Sequence, residues 1–239
     1  MSDWLGLRGQ RVVIAGGAGG FGSALTRAFT EHGARTKVID VAPGDHIQAD
    51  LRSAAAAREA IAAAREALGG GIDVFVHSVG INNRKPIGEY DDAEWDAILS
   101  VNLSSAFHTA QAVLPAMREQ GHGRIVFFSS VAGRSGHRNH GPYAATKGAI
   151  NQLTRVMAHE AAADGVTVNA VAPGYMDTEL TRQYLADHPG YREQLISLIP
   201  AGRFAQIDEV VGPVVFLCSR QASFINGTVL YIDGGRSVL

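Results

Sequence analysis

The stretch "VVIAGGAGGFGSAL" at residues 12–25 runs from β-branched residues through a glycine-rich turn into helix-forming residues. Its glycines satisfy both G-x-G-x-x-G (Gly17, Gly19, Gly22) and the wider G-x-x-x-G-x-G (Gly16, Gly20, Gly22). Either spacing permits a tight turn, lets the backbone approach a pyrophosphate and aims a helix N-terminus at its negative charge. The stretch therefore predicts a strand–turn–helix unit that binds a dinucleotide.

Outward from this unit, short β-branched runs alternate with alanine-rich or amphipathic stretches, as in a parallel sheet with helices on both faces. We predict a single α/β domain over residues 1–239, with a doubly wound (Rossmann) seven-stranded parallel sheet. The predicted strands are 11–16, 35–40, 46–50, 72–80, 123–130, 166–174 and 228–235, and the helices are 20–32, 53–68, about 92–119, 143–163 and 208–219.

Two further features belong to this organisation. The helix at 92–119 opens at "DDAE", where an aspartate can cap it, and Pro115 is predicted to kink or end it. Residues 175–204 break the alternation with several prolines and glycines, and such a long excursion predicts a substrate lid.

Composition limits the partners. The 239 residues carry a formal charge of −2, which gives no basic footprint for nucleic acid and no polybasic surface for a membrane. No apolar run reaches the roughly 18–20 residues that a membrane span needs. The single cysteine, Cys218, lies in the apolar run "VVGPVVFLCS" and is expected to be a small buried side chain. The N-terminus lacks the charged and apolar regions of a signal peptide, so we expect a cytoplasmic protein with small-molecule partners.

The cofactor preference depends on Asp40, which ends the second predicted strand twenty positions after Gly20. A carboxylate there can accept hydrogen bonds from both adenosine-ribose hydroxyls and would repel a 2′-phosphate. No arginine occupies the glycine loop, and Val41 follows the aspartate. The sequence therefore predicts NAD as the cofactor, with NADP disfavoured.

A second motif, "GPYAATKGAI" at residues 141–150, places a tyrosine four positions before a lysine. In a helix, Tyr143 and Lys147 lie one turn apart, with Cβ atoms roughly 5–6 Å from each other. A nearby ammonium favours phenolate over phenol, which indicates a tyrosine suited to proton transfer. The alternative is a packing tyrosine beside a lysine whose ammonium reaches solvent.

From about residue 8 to the C-terminus, the chain resembles the short-chain dehydrogenase/reductase family. The wide glycine spacing resembles the family's cofactor loop, with Ala15 where threonine is usual, and "PGYMDT" and "YIDGG" resemble its nicotinamide segment and last strand. The resemblance extends to the catalytic set, Asn102, Ser130, Tyr143 and Lys147. His77-Ser78-Val79-Gly80 stands where the family usually has Asn-Asn-Ala-Gly, which leaves open what replaces the side-chain hydrogen bonds of the first asparagine.

The resemblance implies hydride transfer between a nicotinamide and an alcohol or ketone carbon. Tyr143 would transfer the proton; Lys147 would bind the nicotinamide ribose and, together with the oxidised ring, lower the pKa of Tyr143. Ser130 would steady the substrate oxygen, and Asn102 would orient a water that carries the proton outward. It also implies a homotetramer built from helices 92–119 and 143–163 and from the last strand with helix 208–219. The implied cofactor contacts are Gly16, Gly20, Phe21, Gly22, Asp40, Asp50, Leu51, Ser78, Val79, Gly80, Tyr143, Lys147, Pro173, Gly174, Met176 and Thr178.

The substrate should lie beyond the carboxyl ends of the strands, where the loops are polar. Arg84, His137, Arg138 and His140 are the predicted substrate contacts, and they suit a hydroxylated or anionic molecule. His137 and His140 have metal-ligand spacing but no evident third ligand, so we predict no metal. "INNRKPI", "PGYMDTEL" and "IPAGRF" are similar to the sugar-acid branch, the gluconate 5-dehydrogenases and 2-deoxy-gluconate 3-dehydrogenases.

Two other functions stay open at this point. One is a reductase of 3-oxoacyl thioesters, against which Asp40 argues because such a biosynthetic enzyme is expected to prefer NADPH. The other is a catalytically silent sensor that only binds a dinucleotide, against which the retained Ser130, Tyr143 and Lys147 argue.

Overall fold

The computed structural model describes residues 3–186 and 190–238, and in these residues seven parallel strands form one sheet in the order β3-β2-β1-β4-β5-β6-β7. The strands are β1 Arg11–Ala15, β2 Arg35–Asp40, β3 Ile47–Gln48, β4 Val74–His77, β5 Gly123–Phe128, β6 Val166–Pro173 and β7 Val229–Ile232. This order confirms the predicted doubly wound sheet. It reverses direction between β1 and β4, and such a reversal opens a crevice at the carboxyl ends of those two strands.

Three of the strands are clearly shorter than predicted. β3 has two residues, Ile47–Gln48, rather than the predicted 46–50, and β4 and β7 are shortened for local reasons. β4 ends at His77 rather than at residue 80, because residues 78–80 leave the sheet and line that crevice. β7 ends at Ile232 because Gly234 and Gly235 turn the chain with φ values of +61° and +88°.

Helices cover both faces of the sheet. One face packs against α2, α4 and α5 around Val113, Phe127 and Ile150, and the other packs against α1 and α8 around Phe29 and Val214. The described helices are α1 Gly20–Glu31, α2 Ala54–Ala67, α3 Asp92–Leu99, α4 Ser105–Glu119, α5 Gly141–Ala161, α6 Glu179–Ala186, α7 Tyr191–Ile196 and α8 Asp208–Leu217. None of these described helices is both long and apolar enough to cross a bilayer.

The prediction of one continuous helix at 92–119 is wrong, because a turn of π-helix at Ser100–Ser104 separates α3 from α4. The predicted start is confirmed, since Asp91 and Glu94 form a reciprocal capping box. Pro115 does not end the helix, which continues to Glu119. Val113 and Met117, on either side of the proline, are fully buried and hold both turns against the sheet.

The excursion predicted as a lid contains α6 and α7. Residues 187–189 lie outside the described residues, so the segment 175–204 is described only in part. Leu195, Ile199 and Phe204 form a small apolar cluster of their own, separate from the two main cores. Closure of this segment over a substrate stays a prediction.

Candidate active site

The glycine turn follows β1 directly, and its glycines serve two different needs. Gly16 has a φ of +82°, and a Cβ on Gly22 would lie 2.1 Å from the Gly16 carbonyl oxygen, so the protein itself requires both glycines. A Cβ on Gly19 or Gly20 would meet no protein atom closer than 3.8 Å. The open space above these two residues lies at the N-terminus of α1, which suits an anionic group such as a pyrophosphate.

A cleft of about 520 Å³ opens beside this turn at the carboxyl ends of β1 and β4. Its volume is within the usual range for a ligand pocket. The structure brings the predicted cofactor residues Gly16, Asp40, Asp50, Leu51, Ser78, Val79 and Gly80 together there. The other lining residues are Ala18, Gly19, Val41, Ala42, Ala49, Arg52, Ile81, Val101 and Ser105.

Asp40 is fixed at the mouth of the cleft by two backbone donors. Its carboxylate accepts hydrogen bonds from the backbone N–H groups of Ala18 and Ala42, each at 3.0 Å. A carboxylate has about four acceptor sites, so lone pairs stay available for ligand hydroxyls. The residues of this end of the cleft therefore fit the adenosine ribose of a dinucleotide.

Arg52 lines the same cleft, and sequence reasoning missed it. Its Nε donates to both Asp50 carboxylate oxygens at 2.9 Å and its Nη2 donates to Oδ2 at 2.6 Å, which lowers the pKa of Asp50. The guanidinium charge is thus paired within the cleft wall. The one feature of the sequence that could have indicated Arg52 as a cleft residue is its position two residues after Asp50.

Apart from Tyr143 and Lys147 on α5, the remaining predicted cofactor residues stand at the start of α1 and at the end of β6 rather than in the cleft wall. The Phe21 ring packs against Phe128 at 5.2 Å, and Gly22 packs against the glycine turn. The β6 group comprises Pro173, the last residue of the strand, Gly174 packed on Asp233, buried Met176, and Thr178 with its hydroxyl 2.9 Å from that of Thr181. Together with Gly20, their contacts to a cofactor stay predictions.

The tyrosine and lysine motif lies in the first turns of α5. The Lys147 ammonium is 5.5 Å from the centre of the Tyr143 ring and donates to the Phe128 carbonyl at 2.7 Å. Ser130 is near enough to the Tyr143 phenol to act on its pKa, whereas the Ser129 hydroxyl donates to Asn151 at 2.6 Å. Of the two serines, Ser130 is therefore the one that faces the phenol.

Burial dominates the protonation of this pair. It lowers the pKa of Lys147 to about 8 and raises the pKa of Tyr143 above its ordinary value, with Ser130 and Arg84 acting in the opposite direction on Tyr143. The prediction that Lys147, together with the oxidised nicotinamide ring, lowers the pKa of Tyr143 stays a prediction. The cost of burying a phenolate exceeds the help of the groups around it.

Asn102 lies in the π turn and joins two loops. Its Oδ1 accepts from the Ile81 N–H at 2.7 Å, and its Nδ2 donates to the Ile81 carbonyl at 2.9 Å and to the Thr146 hydroxyl at 3.2 Å. The Thr146 hydroxyl in turn donates to the Tyr143 carbonyl at 2.7 Å. The carboxamide is buried and fixed between the exit of β4 and the helix that carries the tyrosine.

The imidazole of His77 stands where the family usually has its first asparagine. Its ring is buried between Phe75 and Phe127, with centroid distances of 6.4 Å to each. Burial, with the charge of Lys147, lowers the pKa of His77 to about 3, so the imidazole is neutral at neutral pH. Its Nε2 lies 3.0 Å from the Ser105 hydroxyl.

The predicted substrate histidines lie beside the tyrosine. The His140 ring is 6.1 Å from the Tyr143 ring and 5.8 Å from that of His137, which is 6.3 Å from Tyr175. The positive charge of Arg84 acts on all four of these groups. The burial of His137 and His140 lowers the pKa of each ring.

Arg138 is different from the other predicted substrate contacts, because its side chain is exposed. Its carbonyl, rather than its guanidinium, takes part, lying 2.7 Å from the Nδ1 of His140. The structure thus brings Arg84, His137 and His140 together and leaves Arg138 outside. Within residues 3–186 and 190–238, no group of three or more His, Cys, Asp or Glu side chains could hold a metal ion.

A family model described as enoyl-(acyl carrier protein) reductase matches residues 16–237. Gluconate 5-dehydrogenase of Gluconobacter oxydans is 35% identical over 251 residues, covering 99% of this chain and 98% of that protein. The chain belongs to the short-chain dehydrogenase/reductase family. As a member of this family it is an oxidoreductase that uses a nicotinamide dinucleotide and acts on a CH–OH group or the corresponding ketone.

Other members have similar sequences and folds. The 5-keto-D-gluconate 5-reductase of Escherichia coli is 34% identical, covering 100% of this chain and 99% of that one. The structure of a gluconate 5-dehydrogenase from Burkholderia cenocepacia, in complex with NADP and tartrate, superposes with a TM-score of 0.93 at 36% identity, covering 99% of this chain and 98% of the other.

Proposed function

We propose that this short-chain dehydrogenase/reductase interconverts a secondary alcohol and a ketone of a sugar acid. The observation that carries the proposal is the contact of His140 with the Tyr143 ring and of His137 with His140, in a cluster on which the positive charge of Arg84 acts. A guanidinium suits a carboxylate, and imidazoles can exchange hydrogen bonds with hydroxyls. The names of the Gluconobacter and Escherichia relatives support the same substrate class.

In the proposed reaction, the nicotinamide supplies or accepts the hydride, and the chain handles position and protons. Tyr143 exchanges a proton with the substrate oxygen, and Ser130, which interacts with the phenol, steadies that oxygen. Lys147, buried beneath the tyrosine, holds positive charge against the phenolate as it forms. Asn102 orients a water that carries the proton outward.

NAD is the cofactor that we propose, on the strength of Asp40. A second negative charge beside its carboxylate would be repelled, and the guanidinium of Arg52 is already paired with Asp50. The solved relatives give the opposing argument, since the Burkholderia enzyme and a putative gluconate 5-dehydrogenase from Beutenbergia cavernae, 34% identical, are both described with NADP.

We also propose one domain, a cytoplasmic location, a lid at 175–204 and a homotetramer. The buried single cysteine, Cys218, agrees with a reducing compartment. Phe107 on α4 and Val156 on α5 are 46% and 44% exposed, and Phe224, shortly after α8, is fully exposed, so the faces assigned to the tetramer carry uncovered apolar side chains. Sedimentation of the pure protein as a monomer would contradict the tetramer.

Absorbance at 340 nm tests the function. The pure protein is assayed with NAD(H) and NADP(H) against sugar acids, polyols of equal carbon number and acyl thioesters. We expect turnover of a sugar acid with NAD(H), and weaker turnover of the uncharged polyol. Turnover of thioesters alone with NADPH would instead favour the second candidate, a 3-oxoacyl thioester reductase; the description of the family model also names an acyl carrier protein substrate, although an enoyl rather than a 3-oxoacyl one. Binding of NADH without any turnover would favour a sensor.

A further inference from the structure

Ser105 donates hydrogen bonds to two backbone carbonyls of the π turn between α3 and α4. The Ser105 N–H donates to the Ser100 carbonyl five residues earlier, as a π turn requires. The Ser105 hydroxyl donates to the Val101 carbonyl at 2.5 Å. One serine thus provides both donors that shape the turn in which Asn102 lies.

The histidine that stands in place of the usual asparagine completes this arrangement. Because the Ser105 hydroxyl proton is directed at Val101, its oxygen acts as the acceptor for His77 Nε2 at 3.0 Å. With the hydroxyl proton so directed, the Nε2 atom of the neutral ring is the donor of this pair and carries its hydrogen. A chain of two hydrogen bonds then runs from β4 to the π turn.

We propose that His77 is a positioning residue that holds the π turn through Ser105 and so fixes the carboxamide of Asn102. The inference rests on the proposed role of Asn102 in proton transfer. Asn102 binds both backbone polar groups of Ile81, four residues after His77. The two ends of segment 77–81 therefore both contact this part of the helix. His77 contacts it through the Ser105 hydroxyl, and Ile81 contacts it through the Asn102 carboxamide.

Packing alone does not account for an imidazole at this position. The ring lies between Phe75 and Phe127 and is 2% exposed, and a phenyl ring would fill the same space without a polar group to desolvate. A buried polar ring is favourable where it makes a hydrogen bond, and the partner here is Ser105.

Three variants separate the hydrogen bond from the packing. His77→Phe keeps a ring without the N–H group, His77→Gln keeps an N–H donor at a similar reach, and Ser105→Ala removes the intermediary. Hydrogen–deuterium exchange of the chain without substrate reports the π turn directly. Steady-state rates in H2O and D2O at several pH values report proton transfer, and NADH titration reports cofactor affinity.

We expect faster exchange at residues 100–105 in His77→Phe and Ser105→Ala, a fall in kcat on the order of 10- to 100-fold, and a larger solvent isotope effect. NADH affinity should stay near wild type in His77→Phe, His77→Gln should restore most of kcat, and the double variant should be no worse than the poorer single variant. Unchanged exchange, or additive losses in the double variant, would overturn the proposal.

Asn102→Ala distinguishes the two possible failures. If Asn102→Ala loses turnover while His77→Phe keeps it, His77 does not position the carboxamide and the inference fails. If Asn102→Ala itself keeps full turnover, the proposed proton-relay role of Asn102 fails and the inference loses the role on which it rests. His77→Phe and Ser105→Ala test the same contact from both sides, so one well-folded variant is sufficient.

Discussion

The ammonium of Lys147 lies 5.5 Å from the centre of the Tyr143 ring and donates its hydrogen bond to the Phe128 carbonyl. The two groups are thus neighbours without a direct ion–phenol contact. Since burial raises the pKa of Tyr143, the chain alone presents a protonated phenol at neutral pH. Such a phenol is a proton donor to a ketone oxygen, which suits the reductive direction.

The role of Tyr143 is tested by removing its hydroxyl. We expect Tyr143→Phe to lower kcat by about 10²- to 10⁴-fold, the usual contribution of a general acid, with NADH affinity near normal. Tyr231→Phe on β7 is the matched control, since it removes a phenol that packs against Arg134 outside the candidate catalytic set and should keep full activity. Steady-state turnover, followed by absorbance at 340 nm, measures kcat. Fluorescence titration with NADH measures the cofactor affinity. Substantial activity in Tyr143→Phe would remove the tyrosine from its assigned role.

Substrate charge is tested at Arg84. A hydrogen bond to a charged group contributes about 1.5–3 kcal/mol, so Arg84→Ala should raise KM for a sugar acid roughly ten- to a hundredfold. Arg138→Ala, at an exposed arginine one residue after His137, should leave KM unchanged. For an uncharged polyol neither variant should have a large effect. Equal losses for acid and polyol would mean that Arg84 does not recognise the carboxylate.

The two kinds of glycine in the turn predict opposite phenotypes. Gly22→Ala places a Cβ 2.1 Å from the Gly16 carbonyl oxygen and should destabilise the fold by about 3 kcal/mol or more. Gly19→Ala has 3.8 Å of clearance and should unfold at the wild-type temperature, but bind NADH more weakly because the methyl group enters the ligand space. Thermal unfolding and NADH titration of both variants measure this difference. Normal NADH affinity in folded Gly19→Ala would place the pyrophosphate elsewhere.

Cofactor choice is tested at Asp40. Replacing the carboxylate in Asp40→Ser should lower the ratio of kcat/KM for NAD over that for NADP by about tenfold or more, because it removes both an acceptor and a repelling charge. Asp45→Ser makes the same change in net charge at an exposed position in the following loop, and it should keep the wild-type ratio. An unchanged ratio in Asp40→Ser would assign the ribose contact to another residue.

The buried imidazole of His77 should make the protein sensitive to acid. Its folded pKa of about 3 is below the ordinary 6.5, so between these values the unfolded chain binds a proton that the folded chain does not. Stability therefore rises with pH through this window and is lost as pH falls from 6.5 towards 3, by up to about 5 kcal/mol. His77→Gln should flatten this part of the profile, whereas His32→Gln, at an exposed histidine, should not. Urea unfolding at pH 4, 5, 6 and 7 measures the effect.

The sheet and the glycine turn could be predicted from the sequence because both depend on local patterns. β5 and β6 are buried along their whole length, and such strands appear as continuous β-branched and apolar runs. The π turn could not be predicted, since Ser100–Ser104 has no residue that excludes an α-helix. The turn depends instead on Ser105 and on contacts with Ile81, which is distant in sequence.

The residues of the candidate site divide in the same way, into those that local sequence patterns predict and those that require the fold. Tyr143 and Lys147 were predicted from their spacing and Asn102 and Ser130 from the family resemblance, and the roles of all four stay predictions. Arg52 and His77 required the fold, because the first depends on its ion pair with Asp50 and the second on a hydrogen bond across 28 positions. The burial that raises the pKa of Tyr143 could not be predicted either, because spacing along a helix reports proximity and not desolvation.

A π turn is equivalent to the insertion of one additional residue into a continuous α-helix. Each residue of an α-helix advances the winding by about 100°, so the turn at Ser100–Ser104 rotates α4 about its own axis relative to the continuation of α3. Deleting one residue from the turn would restore regular winding and swing Val113 and Met117 away from the sheet. The rotational register of α4 against the sheet is therefore set by the irregular turn in which Asn102 lies.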